Sequence, residues 1–504
     1  MYLRAGLFSL ALLLVSRLLG LARESALAAA FGASGMGDAI IVMFTLPDLL
    51  VGVLVSGALA YVLLPAWAAQ PAQSRTDKTS LLTLTLALGG VAVGALVWVF
   101  RQAMVAALAP GLPVDMAALA AASLGYSAAV LPLAMVAALW ATRLQHGRDF
   151  VGMYAANVVV NLILVTGLLA VGGGLWAFRG NGLNVVNALG GCLVAAMVLR
   201  LLWLAWRLHK TKPPAASARP AKSQTAWPSA HLWLWAALSS ALVLLLPLVA
   251  RSLVSQSGEG ALASFNYAWK LIELPLLLAI QLVATIAFPA IAEAPADSPE
   301  RQRALAMAFA LAWSLACAAV AVVAVFARPL ANVLFGWGSM TPAGIDVIAH
   351  WAAIGVWSLL PQALIAVLLT VMAIAHRMRV AVFAFAAAVI GLLAVGLAVP
   401  AQGDMVMLAI NITLAAVALA LLATERRSIR GALPLGALAA PLAACIVLVW
   451  FKPLWVGTSL PVAIIIAVFY GLLVLGVGVA CSSVLRTFVL QKISRRPVFP
   501  SALP

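Results

Sequence analysis

Arg17 and Arg23 stand inside the first long apolar run of the chain, which extends from about Leu7 to Ala30. Such a run is long enough to cross a bilayer, and an arginine near its centre costs about 2.5–3.5 kcal/mol on insertion scales. Arginines at that depth face a protein interior or a wet cavity, and the ligand chemistry that suits them is anionic. Glu24 lies seven residues beyond Arg17, roughly 10 Å along nearly the same helix face, too far to pair. Arg17 therefore has no counter-ion within one turn of its own helix. Gly20, between the two arginines, permits close helix approach or a local break. Arg23 reads either as a second cavity charge or as a side chain that snorkels outward.

The acidic residues that could answer these charges are few. Asp38 opens the second apolar run after the small-residue loop Gly32–Gly37, where a carboxylate caps a helix and favours the positive end of its dipole. A place among the cavity charges is the other reading. Asp48 follows Pro47 within the same run, facing Arg17 or Arg23. Farther on, Lys270 and Glu273 are spaced i,i+3, so they either form a structural ion pair or present a compact positive charge to a pyrophosphate, beside the polar Asn266 and Tyr267.

Enzyme chemistry finds no support: there is no Ser/His/acid arrangement, no metal-ligand spacing and no phosphate-binding glycine loop, so no cofactor is called for. His146, His209, His231 and His376 fall at the ends of apolar runs, and His350 reads as an interfacial residue. Cys192, Cys317, Cys445 and Cys481 are scattered singly in apolar runs, as small core hydrophobes.

The elements that must position these residues follow from composition. Of 504 residues 65% are hydrophobic and 9% charged, against about 25% charged in soluble domains. The expectation is an all-α integral membrane protein. About fourteen helices are expected, near 6–30, 38–68, 81–107, 115–142, 150–172, 184–207, 231–254, 262–292, 303–326, 346–374, 379–400, 405–423, 430–451 and 460–484. The first run follows Arg4, lacks a cleavage site and is too long for a signal segment, so it reads as a transmembrane helix. The run 38–68 is too long to cross upright, and Pro47 and Gly57 are places for it to bend.

The net charge of +16 comes largely from short loops. Of 30 basic residues, 21 fall on one side of the expected helices and five on the other, which puts both termini in the cytoplasm. Arg17, Arg23, Arg200 and Lys270 are the remaining four. The charge is a topology signal, and nucleic acid is discounted as a partner. A proline- and lysine-containing stretch at 208–230 reads as a cytoplasmic linker between an N-lobe of six helices (1–207) and a C-lobe of six (231–423), with two further helices and a tail at 424–504. An internal echo supports the halves: Leu46–Pro47 and Pro65–Ala66 against Leu274–Pro275 and Pro289–Ala290, and the turn Gln145–Arg148 against Ala375–Arg377.

These residues carry a resemblance. Ser16-Arg17-Leu18-Leu19-Gly20-Leu21-Ala22-Arg23-Glu24, Phe31-Gly32-Ala33, Asp38-Ala39, Leu46-Pro47-Asp48-Leu49-Leu50 and Gly57-Ala58 resemble the N-terminal signature of the MurJ/MviN family of lipid II flippases. Leu108-Ala109-Pro110-Gly111, Gly147-Arg148 with Asn157 and Asn161, Asn266-Tyr267-Ala268, Glu273-Leu274-Pro275, Thr285 with Pro289, and Leu334-Phe335 with Gly338 extend it in order along the chain.

The resemblance implies a carrier in the bacterial inner membrane. It would move a polyprenyl-pyrophosphate-linked saccharide from the cytoplasmic to the outer leaflet, among membrane lipid and cell-envelope biosynthesis proteins. Arg17, Arg23 and Asp38 match charged positions of the family's cavity, and Lys270 stands where an arginine is usual. The last two helices, by the same resemblance, offer a groove for the prenyl tail; simple packing on a lobe is the other reading. The family usually has paired arginines and then an acidic residue before Gly-Ala, where this chain has Val51, Gly52 and Ser56. That departure points away from lipid II itself, toward another lipid-linked oligosaccharide.

Two further classes stay open. A cation-coupled exporter of the same superfamily would need acidic cavities, against which the arginines argue. A non-transporting scaffold of a polysaccharide assembly complex would tolerate the lost charges.

The isolation of each cysteine in an apolar run predicts four free thiols. Mass mapping under non-reducing conditions should find all four unlinked; a stoichiometric Cys192–Cys317 or Cys445–Cys481 bridge would contradict it.

Overall fold

The structure is a computed structural model that describes residues 2–54, 59–68, 72–173, 181–210, 230–295, 298–375, 377–398, 402–452 and 457–493. Those residues are almost wholly helical, with no strand among them. In chain order the helices are α1 (Tyr2–Phe31), α2 (Gly35–Val53), α3 (Leu59–Ala68), α4 (Ala72–Val99), α5 (Arg101–Leu108) and α6 (Val114–His146). Next come α7 (Phe150–Gly172), α8 (Gly182–Lys210), α9 (Ala230–Val254), α10 (Ala261–Glu293), α11 (Pro299–Phe335) and α12 (Pro342–Gly355). Then follow α13 (Leu359–Ile374), α14 (Met378–Ala398), α15 (Gly403–Glu425), α16 (Leu435–Trp450), α17 (Leu460–Cys481) and α18 (Ser483–Ile493).

Eleven spans are long and apolar enough to cross a membrane. The chain is a multi-pass membrane protein. Three other expected crossings fall on α1, α10 and α16, all helical. The described side chains of α1 include Arg17, Arg23 and Glu24, those of α10 stop short of 277–290, and α16 has 16 residues. Fourteen crossings therefore remain an expectation. Ser56, Gly57, Ala58, Arg179, His376 and residues 211–229 of the expected linker lie outside the described residues, as do the side chains of Pro65 and Pro289.

The chain forms two compact units, Met1–Phe265 with Leu334–Gly344, and Asn266–Val333 with Ile345–Pro504. In the first, α6 is the central helix, packed by α2, α4 and α8, while α7 joins α1 and α8. The stretch 334–344 returns to the end of α1, where Ser339 N–H donates to the Ala29 carbonyl at 2.8 Å. Gly338 sits there at φ +59°, and a Cβ on it would collide with the same carbonyl. Left-handed backbone and close approach together require glycine.

In the second apolar run α2 is helical through Pro47 to Val53 and α3 spans Leu59–Ala68, while Gly57, the other expected place for a bend, lies outside the described residues. Proline removes an i→i−4 bond and so orphans the Met43 carbonyl. The Ser127 hydroxyl on α6 donates to that carbonyl at 2.5 Å. In a bilayer such a group has no water to turn to, so a neighbouring helix must satisfy it. The ninth run, expected to end at 326, is helical to Phe335, but Phe326 has φ −109° and ψ 23°, a kink at the expected boundary.

The internal echo has a geometric counterpart. At one turn Gly147 N–H bonds to Arg143 O and Asp149 N–H to Leu144 O; at the other Ala375 bonds to Val371 O and Arg377 to Met372 O. Each turn is tied to the end of a later helix by an ion pair of opposite sense. Arg207 of α8 grips Asp149 through two nitrogens at 2.7 and 2.9 Å, and Arg377 reaches the fully buried Glu425 of α15 at 2.9 Å.

Ser127→Ala should lower stability by about 1 kcal/mol. In a Pro47→Ala background, where residue 47 regains its N–H, the same change should cost much less. Thermal unfolding of the four proteins in detergent checks this; equal losses in both backgrounds would show that Ser127 does not serve the orphaned carbonyl.

Candidate functional site

The apolar interior of the first unit is charged at a few points, and Arg23 organises them. Its Nη2 alone donates to both Glu24 Oε1 at 2.8 Å and Asp48 Oδ2 at 2.9 Å. The guanidinium also lies 5.4 Å from the Phe44 ring centroid, a cation–π contact. The side chain is 13% exposed, and its Nε is buried without a partner. Arg23 thus does not snorkel outward, because two carboxylates and an aromatic face hold it inside. Asp48, open to either arginine in the sequence, pairs with Arg23 and remains 53% exposed.

Arg17 stands apart. It is exposed on α1, and no described residue pairs or hydrogen-bonds with it. The Tyr154 hydroxyl of α7 lies within its electrostatic reach. Gly20 neither breaks α1 nor brings it into tight contact, since a Cβ there would meet only Asn161 Nδ2 at 4.0 Å.

Asp38 caps a helix, though not its own. The N-cap of α2 is Ser34, whose hydroxyl accepts from Gly37 N–H at 3.3 Å. The Asp38 carboxylate instead accepts from Gly260 N–H at 2.9 Å and Ala263 N–H at 2.7 Å, at the start of α10. Helix N-termini leave amides without intrahelical acceptors, and a buried carboxylate answers both their hydrogen bonding and their dipole. Beside it Glu259 Oε1 accepts from Gly35 N–H at 3.1 Å, so the two helix starts are capped reciprocally.

Lys270 and Glu273 belong to the second unit and pair with each other, Nζ to Oε2 at 2.6 Å. Their neighbours Asn266 and Tyr267 are buried. His350, exposed as expected, bonds Asp404 Oδ2 at 2.9 Å. No described cluster of His, Cys, Asp and Glu could hold a metal ion, and all four cysteines are free.

One charged residue escaped the sequence reading. Arg200 lies on the buried face of α8 with Leu193, Ala196, Met197 and Leu204, and is 4% exposed. The signal was present, an arginine in mid-run, and the rule that flagged Arg17 flags it equally. Of the three guanidiniums, Arg23 is paired with Glu24 and Asp48, Arg200 is buried and Arg17 is exposed.

A family model described as Lipid II flippase MurJ matches residues 27–489. The chain belongs to the MurJ family. It is 26% identical over 356 residues to Lipid II flippase MurJ of Burkholderia cenocepacia, an alignment covering 67% of this chain and 66% of that protein, just under two thirds. Among solved structures, an inward closed conformation of Lipid II flippase MurJ superposes with TM-score 0.75 at 16% identity, covering 97% of this chain and all of that one. Inward- and outward-facing structures of a multidrug resistance MATE family transporter share the fold, with TM-scores 0.63 and 0.55 at 14% and 16% identity; they cover 83% and 84% of this chain and 95% and 94% of theirs. The MurJ fold expected from the N-terminal motifs is therefore the fold found.

Asp38→Ala leaves two buried amides without an acceptor and should cost about 1–3 kcal/mol. Asp38→Asn, keeping one acceptor oxygen, should lose about half as much. Thermal unfolding decides; an unchanged midpoint in Asp38→Ala would mean that the cap at α10 adds nothing.

Proposed function

We propose that this MurJ-family chain moves a polyprenyl-pyrophosphate-linked saccharide, lipid II or a related lipid-linked oligosaccharide, from the inner to the outer leaflet of the bacterial cytoplasmic membrane. The observation that carries the reading is Arg17: a guanidinium within an apolar helix, with no partner among the described residues, beside an arginine already neutralised. A pyrophosphate head cannot cross hydrocarbon uncompensated. Arg17 supplies a charge-assisted donor fork in place of the head's hydration, while the prenyl chain stays in lipid.

In the first unit Arg23, Asp48 and Asp38 hold the charges and helix starts, and in the second Lys270 and Glu273 form a charged pair of their own. Two helical lobes rock in alternating access, with both termini cytoplasmic. Likeness to transporters solved facing inward and outward supports such a cycle. An arginine without a carboxylate partner disfavours a cation exporter, and it would serve no purpose in a scaffold.

The cargo need not be lipid II itself. Where arginines are usual in the family this chain has Val51 and Gly52, and Leu244 Cδ1 lies 2.9 Å from the position of a Cβ on residue 52. That atom is the flexible end of an exposed side chain, so a larger residue would need only Leu244 to turn aside.

Arg17→Ala should abolish transport of a fluorescent polyprenyl-pyrophosphate saccharide in proteoliposomes at unchanged thermal stability, and Arg17→Lys should keep part of it. If Arg17→Ala instead destabilised the protein, and a charge swap with Asp48 or Glu273 restored it, the arginine would be structural and the assignment would fail. In a strain depleted of its lipid II flippase, the unmodified chain should rescue growth only in part; full rescue would place lipid II itself among its cargoes.

A further inference from the structure

Asp48 is the one half-exposed carboxylate of the charged interior, and it serves Arg23 through a single oxygen, Oδ2. While it does so, Arg23 is neutralised by two carboxylates and has little attraction left for an anion. Arg200 is in the opposite condition. It is 4% exposed, hydrogen-bonds with no described residue, and its Nε is sealed without a partner. Its helix, α8, packed chiefly on α6 and α7, also touches α2, which carries Asp48. Asp48 lies within its electrostatic reach. A buried guanidinium without a counter-ion is costly, and the cost is removed when a carboxylate arrives.

We propose that Asp48 exchanges partners, leaving Arg23 for Arg200 when the cargo's pyrophosphate engages Arg23. The inference rests on the flippase reading above. The exchange is nearly balanced: Arg23 trades one anionic partner for another, and Arg200 gains the counter-ion that it lacks. Arg200 is thus a positioning residue that acts on the cargo through Asp48. A stored counter-ion also keeps Arg23 neutral between cargoes, when a bare charge in an apolar helix would be hardest to hold. This chain lacks the usual paired arginines nearby, so Arg200 and Asp48 give it a second means of delivering positive charge to the same place.

The test is a double-mutant cycle in farnesyl pyrophosphate binding to the full chain in detergent, with Arg200→Met and Asp48→Asn. Arg200→Met should weaken binding about tenfold in the wild-type background, because the displaced Asp48 then finds no second counter-ion and competes with the ligand for Arg23. It should change nothing in Asp48→Asn, where Arg23 is already released. Arg200→Lys should bind nearly as the wild type does.

Arg200→Met removes an unpaired buried charge, so its thermal midpoint should hold or rise; if it fails to insert, Arg200→Gln reads the same arm. Equal weakening in both backgrounds would mean direct contact of Arg200 with the ligand, and no weakening in either would mean no exchange; each overturns the proposal. A wild-type chain that does not bind farnesyl pyrophosphate, with Arg17→Ala equally silent, would overturn the flippase reading and the exchange with it. Loss of binding in Arg17→Ala alone, with Arg200→Met unaffected, would sink only the exchange.

Discussion

A guanidinium inside an apolar helix must be hydrated, paired or given a ligand, and the charged interior of the first unit is arranged by that requirement. Arg23 meets it by pairing: one nitrogen bonds Glu24 and Asp48 while Phe44 lies against the cation. Glu24 comes from its own helix and Asp48 from the next, so the same contact neutralises the charge and ties α1 to α2. Arg17, a little less than two turns earlier, has no such answer. What separates the two is the supply of carboxylates, since Arg23 holds both of those within reach. Pairing makes the Arg23 charge tolerable in an apolar helix.

The backbone obeys the same rule, since amides and carbonyls in an apolar medium are as costly to orphan as charges. Pro47 frees the Met43 carbonyl and Ser127 takes it up. The start of α10 presents free amides, and Asp38 accepts from two of them. The Thr45 hydroxyl donates a hydrogen bond to the Ile41 carbonyl and accepts one from Arg251 Nη2, each at 2.7 Å. α2 is thereby fixed on three sides, by α6, α9 and the start of α10, through polar groups that its own sequence leaves unsatisfied. Its Asp48 is consequently carried on a rigid support, and the half-exposed carboxylate is the movable part.

Two positions of the first unit lie outside this polar satisfaction. Gly52 of α2 has only the flexible end of Leu244 near the place of a Cβ, so nothing rigid fixes its small size. Arg200 of α8 is buried without a hydrogen-bonding partner among the described residues, so its charge weighs on the unit instead of steadying it.

Membrane character and helical class were decided by the sequence alone, because long runs with few charges permit no other economical structure in lipid. The cost of intramembrane charge likewise singled out Arg17, Arg23 and Asp48, and the i,i+3 spacing of Lys270 and Glu273 allowed the 2.6 Å pair that forms. Partner choice was decided only in three dimensions. Which arginine Asp48 serves, that Asp38 caps α10 with Ser34 capping α2, and that α2 runs on through Pro47 all depend on which helices lie side by side. Residues separated by 84 or 222 positions meet there, and no local period records the encounter. Arg200 shows the limit most plainly. Its presence in an apolar run was visible from the start, but its burial without a hydrogen-bonding partner, on a helix that touches the one carrying Asp48, exists only in the packed structure.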